Sequence, residues 1–237
     1  MTIGRTTLSH HVVQEIIEEI KERGLRAGDE IPAEGELAER HGVNRLAVRE
    51  AIRTLVARGV LVSSQGKRAR VAIPSPTVLE QILEFRLSQD AMSFQDLLET
   101  RRVIEAELAR RAADRVAAGE GTVDEAVRAL EAMRGAIGDR EAFISTDLAF
   151  HRAVADLASS ELFSFILAAM NGILLDARRA SYEGRAQRGG GQEATVQAHQ
   201  LIVDAIAAGD GDRAAEAMTG HLAETGHDLG LEKARRS

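Results

Sequence analysis

Four polar side chains in the C-terminal two thirds of the chain have the types and spacing of a metal site. Asp147 and His151 lie four residues apart in "EAFISTDLAFHRAVADLA", so on a helix their side chains converge. His199 in "TVQAHQLIVDAI" and His221 in "EAMTGHLAET" lie on the apolar faces of two further helical patterns. Three imidazoles and one carboxylate form a ligand set for a divalent cation.

The same four residues have a simpler interpretation. An inward histidine is often a hydrogen-bonded core residue, and Asp147 with His151 can form a simple buried pair. Burying all four without partners would cost several kcal/mol, so they must satisfy one another or a bound ion. If an ion binds, three nitrogens and one oxygen suit zinc first, with nickel, manganese, iron and cobalt as alternatives. The other histidines are expected to be surface or structural residues: His10, His11, His41 and His227.

The elements that must position these residues are all helical. No strand pattern is present after residue 77, and apolar residues recur at helical spacing, so an all-α bundle is predicted over residues 79–237. The predicted helices are Thr77–Ser88, Ser93–Ala117, Val123–Ile137, Arg140–Ala158, Glu161–Ala186, Gln192–Ala208 and Gly211–Leu231. The segment "EGRAQRGGGQE" is predicted to be a flexible loop rather than a phosphate cradle, because its glycines follow no strand.

An inward arginine adds a second feature to this bundle. Arg101 falls in the row formed by Leu97, Ile104 and Leu108, so its guanidinium points into the predicted core. A buried guanidinium needs an anion, and Glu105, one helical turn later, can supply it as a structural pair.

The N-terminal 73 residues predict a different module, with a linker at residues 74–78 where Pro74 and Pro76 interrupt the pattern. Helices are predicted at Leu8–Arg23, at Glu34–His41, and from Asn44 onward, with Gly42 in the turn between the last two. The third helix carries one apolar stripe and, on another face, one row of arginines. The stripe is Val48, Ala51, Ile52 and Leu55, and the row is Arg45, Arg49 and Arg53. Such a helix is either a DNA recognition helix, whose arginines reach guanine in the major groove, or an ordinary solvated basic face.

The residues that follow favour the recognition helix. Two short β-rich runs, Val60–Ser63 and Ala69–Ile73, flank Gln65 and Gly66, and Lys67 lies at the tip. A basic hairpin directly after a helix-turn-helix is a wing, which reaches phosphates or the minor groove. The charge is also uneven. Residues 1–73 hold 12 basic and 10 acidic residues, and the remaining 164 hold 18 and 27. A basic module on an acidic body suits binding to a polyanion despite the net charge of −7.

The composition narrows the class of protein. The chain has 237 residues and no cysteine, which excludes disulfides and thiolate metal sites. No apolar run approaches the ~18–20 residues that span a bilayer, and the first eight residues lack a signal-peptide pattern. A cytoplasmic protein without a membrane partner is therefore expected.

The stretch "LRAGDEIPAEGELAERHGVNRLAVREAIRTLVARGVLVSSQGKRARV" resembles the winged helix-turn-helix of GntR-type bacterial regulators. The resemblance rests on the motifs G-D-x-x-P-x-E, L-A-x-x-x-G-V, R-x-x-V-R-E-A and G-x-x-x-x-V. It implies that Arg45 and Arg49 contact DNA. It also implies that three further residues lie close to DNA: Asn44, Leu46 and Gly66. Lys67 is expected to contact DNA as well, because of its place in the wing. The sequence departs from the family at Gly35, where an arginine that touches DNA is frequent, and at Leu46, which replaces a small polar residue.

The C-terminal part is similar to the FCD ligand-binding domain of the FadR branch of these regulators. "DLAFHRAV" followed by two inward histidines carries that resemblance. It implies that Asp147, His151, His199 and His221 hold a metal ion. It also implies that Arg101 clamps a small carboxylate effector. "ASSEL" at residues 158–162 departs from the Gly-Asn-Pro of many relatives.

The sequence thus predicts a metal-containing, ligand-responsive transcription regulator, a repressor rather than an enzyme. It is expected to bind a palindromic operator in double-stranded DNA as a homodimer. Two alternatives stay open. One is a metal-dependent hydrolase with an appended DNA-binding domain, although the ligand-bearing segments show no additional general base. The other is a constitutive DNA-binding protein whose histidines only stabilise the bundle.

Overall fold

Helices dominate the computed structural model, which describes residues 8–64, 67–187 and 191–228. In chain order the elements are α1 (Leu8–Glu22), α2 (Glu34–Arg40), α3 (Arg45–Ala57), β1 (Leu61–Val62), β2 (Arg70–Val71), α4 (Pro76–Ser88), α5 (Phe94–Ala117), α6 (Asp124–Gly135), α7 (Arg140–Leu157), α8 (Glu161–Asn171), α9 (Leu175–Gln187), α10 (Gln192–Ala207) and α11 (Gly211–Asp228). The chain divides into two compact units, residues 1–78 and 79–237. The predicted fold class is confirmed: a small winged helix-turn-helix and an all-α bundle. None of the described helices is long and apolar enough to cross a membrane.

The first unit is built around the apolar stripe of α3. Val48, Ala51, Ile52 and Leu55 are all buried, as the sequence predicted. They pack with Val12 and Ile16 of α1 and with Leu37 of α2. Because this stripe is committed to the core, the arginine row of α3 is left on the exposed surface.

The turn between α2 and α3 follows from two residues. Gly42 has φ +61°, in the left-handed region that glycine enters without steric cost. Asn44 precedes α3 with extended backbone, and its side-chain Oδ1 accepts a hydrogen bond of 2.8 Å from the amide of Ala47. This N-cap satisfies one of the backbone donors that the first turn of a helix leaves without a partner.

The two strands of the hairpin are shorter than predicted, although the amide of Ala72 still donates across the hairpin to the carbonyl of Val60. β1 and β2 are antiparallel and comprise two residues each, with Leu61 opposite Val71. The other edge of β2 pairs with the segment before α2. The amide of Gly28 donates to the carbonyl of Val71, and the amide of Ile31 donates to that of Ala69. This segment is therefore more than a connecting loop, since Glu30 forms a bridge to Arg70.

α4 begins inside the predicted linker. Pro76 is its first residue, a position where the missing proline N–H costs nothing because that donor has no partner inside the helix. Only residues 74 and 75 of the predicted 74–78 linker lie outside the helix.

The core of the second unit is where α5, α6, α7, α10 and α11 pack together. Its fully buried side chains include Leu108, Met133, Phe150, Ile202 and Met218. α5 starts at a reciprocal cap, in which Ser93 accepts from the Asp96 amide and Asp96 accepts from the Ser93 amide. These helices hold the backbone of every residue in the predicted metal site.

Two predictions in this unit were wrong. The single helix predicted over residues 161–186 is divided into α8 and α9 by a turn at residues 172–174. Gly172 begins this turn. A Cβ there would lie 1.6 Å from a carboxylate oxygen of Glu80 of α4, so a larger residue at position 172 would displace that side chain. The "EGRAQRGGGQE" loop is also shorter than predicted. α9 continues to Gln187, and α10 begins at Gln192. An ion pair between Glu183 of α9 and Arg140 of α7 stabilises this last part of α9. Residues 188–190 lie outside the described range.

Candidate functional site

The three C-terminal histidines and the aspartate meet in the middle of the second unit. α7 supplies Asp147 and His151, α10 supplies His199, and α11 supplies His221. One ligand atom from each residue lies within 4.8 Å of all the others. The histidines are 0–8% exposed, and the Asp147 side chain is 14% exposed. The structure therefore brings together the four residues that the sequence singled out.

The separations between these atoms fit a small cation. His199 Nε2 lies 3.2 Å from Asp147 Oδ1, and His221 Nε2 lies 3.3 Å from His151 Nε2. The longest of the three close contacts, His151 Nε2 to Asp147 Oδ1, is 3.7 Å. Bonds of about 2.0–2.1 Å in a tetrahedral zinc site place two ligand atoms about 3.3 Å apart. The cluster has that size.

The orientation of His199 gives a further test of fit. Its Nδ1 lies 2.8 Å from the backbone carbonyl oxygen of Thr195, so Nδ1 carries a proton and donates it. Nε2 then carries a lone pair that faces the Asp147 carboxylate. Nε2 is buried and has no hydrogen-bond partner among the described residues. Two lone-pair atoms repel at 3.2 Å unless a cation or a second proton on the ring offsets the repulsion. The donor set and this orphaned nitrogen fit a divalent metal ion, with neutral imidazoles as its ligands.

Glu105 of α5 contacts the cluster through His151. One of its carboxylate oxygens contacts Nδ1 of His151, and the other accepts from Nε of Arg101. Burial opposes ionisation of Glu105, but the Arg101 guanidinium and His151 outweigh it and lower its pKa to about 2. A carboxylate that holds the second nitrogen of a metal-binding histidine fixes the ring orientation. Sequence reasoning found the Arg101–Glu105 pair but missed the contact with His151, which is remote along the chain.

The electrostatics favour the protonation states that a metal ion needs at Asp147 and His221, but not at His151. Burial lowers the pKa of His151, yet the carboxylates of Glu105 and Asp147 outweigh it and raise that pKa above its usual value. Burial and the neighbouring histidines His199 and His151 hold the pKa of His221 well below its usual value, so its imidazole is neutral. Burial opposes charge on Asp147, yet His151 and His199 outweigh it, and the pKa of Asp147 lies well below its ordinary value. A deprotonated carboxylate and a neutral imidazole can both coordinate a metal ion.

A cavity of about 40 Å³ adjoins the cluster. Asp147, His221 and Arg101 line it, together with Arg178 and Arg185 of α9. Arg101 therefore pairs with Glu105 and also lines a cavity, while its role in binding a carboxylate effector stays a prediction. Sequence reasoning missed Arg178. Its signal in the sequence is the apolar Leu174 four residues earlier, which shares a helical face with Arg178.

The first unit presents the predicted DNA-binding residues on one exposed helix. Arg45, Leu46 and Arg49 lie in the first half of α3, and Leu46 is 65% exposed. Arg49 donates from Nε and Nη2 to the Glu34 carboxylate at 3.2 and 2.9 Å. Arg45 forms no ion pair with any described residue. Its Nη2 lies 3.3 Å from where a Gly35 Cβ would be, so the small residue at position 35 makes room for this guanidinium.

The remaining predicted DNA contacts are distributed over the cap and the wing. Asn44 uses its side-chain oxygen to cap α3. Lys67 is exposed, and its amide donates to the Ser64 carbonyl, while Gly66 lies outside the described residues. Arg68 and Arg70 of the wing pair with glutamates, at 3.3 Å with Glu36 and 2.6 Å with Glu30. Nothing in the structure tests DNA contact by these residues, so it stays a prediction.

Comparison with known proteins bears on both units. The chain is 31% identical over 225 residues to the HTH-type transcriptional repressor NanR of Cronobacter sakazakii, covering 93% of this chain and 84% of that one. It is 30% identical over 225 residues to NanR of Escherichia coli K12, covering 93% and 83%. Among solved structures, a GntR protein of Streptococcus agalactiae has a TM-score of 0.65 at 23% identity, covering 91% of this chain and 97% of that one, which supports the fold. That the curated relatives are repressors decides against the hydrolase alternative: the chain is not an enzyme.

Two family models match the chain, one for each unit. The model for bacterial regulatory proteins of the gntR family matches residues 8–71, and the model for the FCD domain matches residues 96–224. Together they cover the helix-turn-helix with its wing and the helices that carry the histidine cluster. The chain therefore belongs to the GntR family of bacterial regulatory proteins and carries an FCD domain.

Proposed function

We propose that this protein is a metal-containing transcriptional repressor that releases or tightens its hold on DNA when a small carboxylate binds beside the metal ion. The observation that carries the proposal is the buried cluster of Asp147, His151, His199 and His221, with a cavity and Arg101 next to it. Repression itself is proposed from the relatives, which are named repressors. The protein acts in the cytoplasm, where its operator is accessible.

DNA recognition is assigned to the first unit. Arg45 and Arg49 on α3 reach base edges in the major groove, with Asn44 and Leu46 beside them, and the wing with Lys67 and Gly66 contacts the backbone. A homodimer presents two such units to the two halves of a palindromic operator. Gly35 sets this chain apart from relatives with an arginine there, since it leaves Arg45 the space above the start of α2.

Metal binding is assigned to the four clustered residues, zinc first among the candidate ions. When bound, the ion polarises and orients an anionic ligand without consuming it. Arg101 lines the same cavity and donates to a carboxylate there, while Glu105 keeps His151 in register. By linkage, such a ligand changes DNA affinity only as far as it binds one arrangement of the dimer more tightly than the other.

Selection from a pool of random duplexes, followed by anisotropy measurements, tests the DNA-binding part of this function. Wild-type protein is expected to enrich an inverted repeat, and the Arg45→Ala/Arg49→Ala double variant is expected to enrich none. Arg23→Ala serves as the matched control, because Arg23 lies in the turn after α1 and pairs with Glu19 of that helix. A wild-type protein that selects no sequence refutes the proposal.

Elemental analysis of the purified protein tests the metal, and small carboxylates added to the operator complex test the ligand response. About one equivalent of metal per chain is expected in the wild type and much less in His199→Ala. The wild-type protein would instead be a constitutive DNA-binding protein if it contains no metal, is fully stable, and binds DNA with the same affinity in the presence of every carboxylate.

A further inference from the structure

Two buried guanidinium groups line the cavity beside the histidine cluster, although only Arg101 was expected there. Arg101 is 2% exposed and Arg178 is 6% exposed. Each has one nitrogen without a hydrogen-bond partner among the described residues, Nη2 of Arg101 and Nη1 of Arg178. A buried N–H donor of a charged group is costly to leave unpaired, so each guanidinium has a free donor to offer a ligand.

The other nitrogens of these two arginines are already engaged. Arg101 donates from Nε to Glu105. Arg178 donates from Nε to Asp147 Oδ2 at 3.3 Å and from Nη2 to Asn171 Oδ1 at 3.2 Å. Neither carboxylate serves its arginine alone. Glu105 also contacts His151, and Asp147 also belongs to the proposed metal site. The arginines therefore have less negative charge around them than a simple one-to-one pairing suggests.

The two guanidinium groups also repel each other. Both are buried, and both line the same cavity. Like charges held in a low-dielectric cavity favour an anion that binds to both.

We propose that this cavity binds a small dianion, with one anionic group on Arg101 and the other on Arg178. The inference rests on the proposed sensing function and goes beyond it by fixing the charge of the ligand. Among the most deeply buried charges, Arg101 and Arg178 balance Glu105 and Asp147, and Arg185, which also lines the cavity, adds no negative charge. A divalent ion in the cluster would therefore add two positive charges that the four buried groups do not compensate. A monocarboxylate neutralises one of them and a dianion neutralises both, and uncompensated buried charge is strongly unfavourable.

The size of the cavity limits the ligand further. Roughly 10–15 Å³ of such space holds one water molecule, so about 40 Å³ holds roughly three. A short-chain dicarboxylate has more heavy atoms than this, so such a ligand fills the cavity and also extends beyond it. A phosphate monoester offers the same dianionic chemistry from another source.

Calorimetric titration of the full-length zinc-loaded protein tests the proposal with malonate, succinate, inorganic phosphate and propionate. At least one dianion is expected to bind about tenfold or more tightly than propionate, a monoanion. Tighter binding of the dicarboxylates identifies a dicarboxylate ligand, and tighter binding of phosphate identifies a phosphorylated one. Propionate that binds as tightly as every dianion overturns the inference while leaving the proposed carboxylate sensing intact. Absence of binding by all four probes overturns both.

Substitution of Arg178 tests the second anionic subsite. Arg178→Gln is expected to lower dianion affinity by about tenfold or more and propionate affinity by less than about threefold, with zinc content measured in parallel. Arg179→Gln is the matched control, because Arg179 is the next residue of α9 and pairs with exposed Asp176 and with Glu141. An unchanged preference for dianions in Arg178→Gln overturns the inference. If that variant does not fold, Arg178→Lys is used; it keeps the charge and loses the forked donor, and it is expected to show an intermediate preference.

Discussion

Glu105 is the residue whose replacement tests the second unit most sharply, because one carboxylate supports both Arg101 and His151. Its side chain is 2% exposed and that of Arg101 is 3% exposed. Lowering the pKa of Glu105 from 4.5 to about 2 corresponds to about 3 kcal/mol of folding free energy at neutral pH. Loss of one partner from a buried ion pair costs about 3–5 kcal/mol. Both routes predict that Glu105→Gln lowers the free energy of unfolding by about 3 kcal/mol.

Urea unfolding of the metal-free protein measures this loss, and competitive chelation measures metal affinity, which is expected to fall about 10–100-fold. Because the folded-state pKa is lowered, the contribution of Glu105 is complete above pH 4.5 and is lost as the pH falls toward 2. The difference between wild type and variant therefore shrinks in that range. Glu107→Gln is the control, since Glu107 lies on the same helix, is exposed and pairs with Arg111, and should cost under about 1 kcal/mol. Equal stability and equal metal affinity of the two variants would refute the reasoning.

Three further substitutions have defined outcomes. His199→Ala is expected to abolish the rise in melting temperature that zinc produces in the wild type, and a scan with and without zinc shows whether it does. Arg45→Ala is expected to weaken operator binding by about tenfold or more and leave the circular dichroism spectrum unchanged; wild-type affinity in an anisotropy titration would contradict a base contact. Asn44→Ala removes the N-cap of α3 and is expected to cost about 1 kcal/mol, whereas an unchanged urea midpoint would show that the cap contributes little.

Helical periodicity was sufficient to find the cluster, because a buried polar residue interrupts an otherwise apolar stripe. Asp147 and His151 share a face by spacing alone, and His199 and His221 are recognisable as polar residues on buried faces. Periodicity says which face a residue occupies but not which residue of another helix lies opposite. The contact between Glu105 and His151, which are 46 residues apart in the chain, needed the packing of α5 against α7.

The turn at Gly172 is a second feature that helical periodicity could not predict. A glycine within an apolar helical pattern does not by itself end a helix, since it costs only about 1 kcal/mol relative to alanine. Here the Glu80 side chain of α4 lies against Gly172, a tertiary contact that the helical pattern does not reveal. Because the turn was not predicted, α9 was not recognised as a separate helix, and the inward position of Arg178 was overlooked.

The glutamates beside the basic face of the first unit have a consequence for how the protein searches a genome. Arg49, Arg68 and Arg70 each hold a glutamate on the same surface. When such an arginine leaves its glutamate to bind a phosphate, the unpaired carboxylate faces the negatively charged DNA. Each exchange therefore gains little binding free energy and releases few counterions. On the proposed function, we expect brief residence on arbitrary sequence, and we expect Arg45, which no described glutamate pairs, to decide through base contacts where the repressor stays.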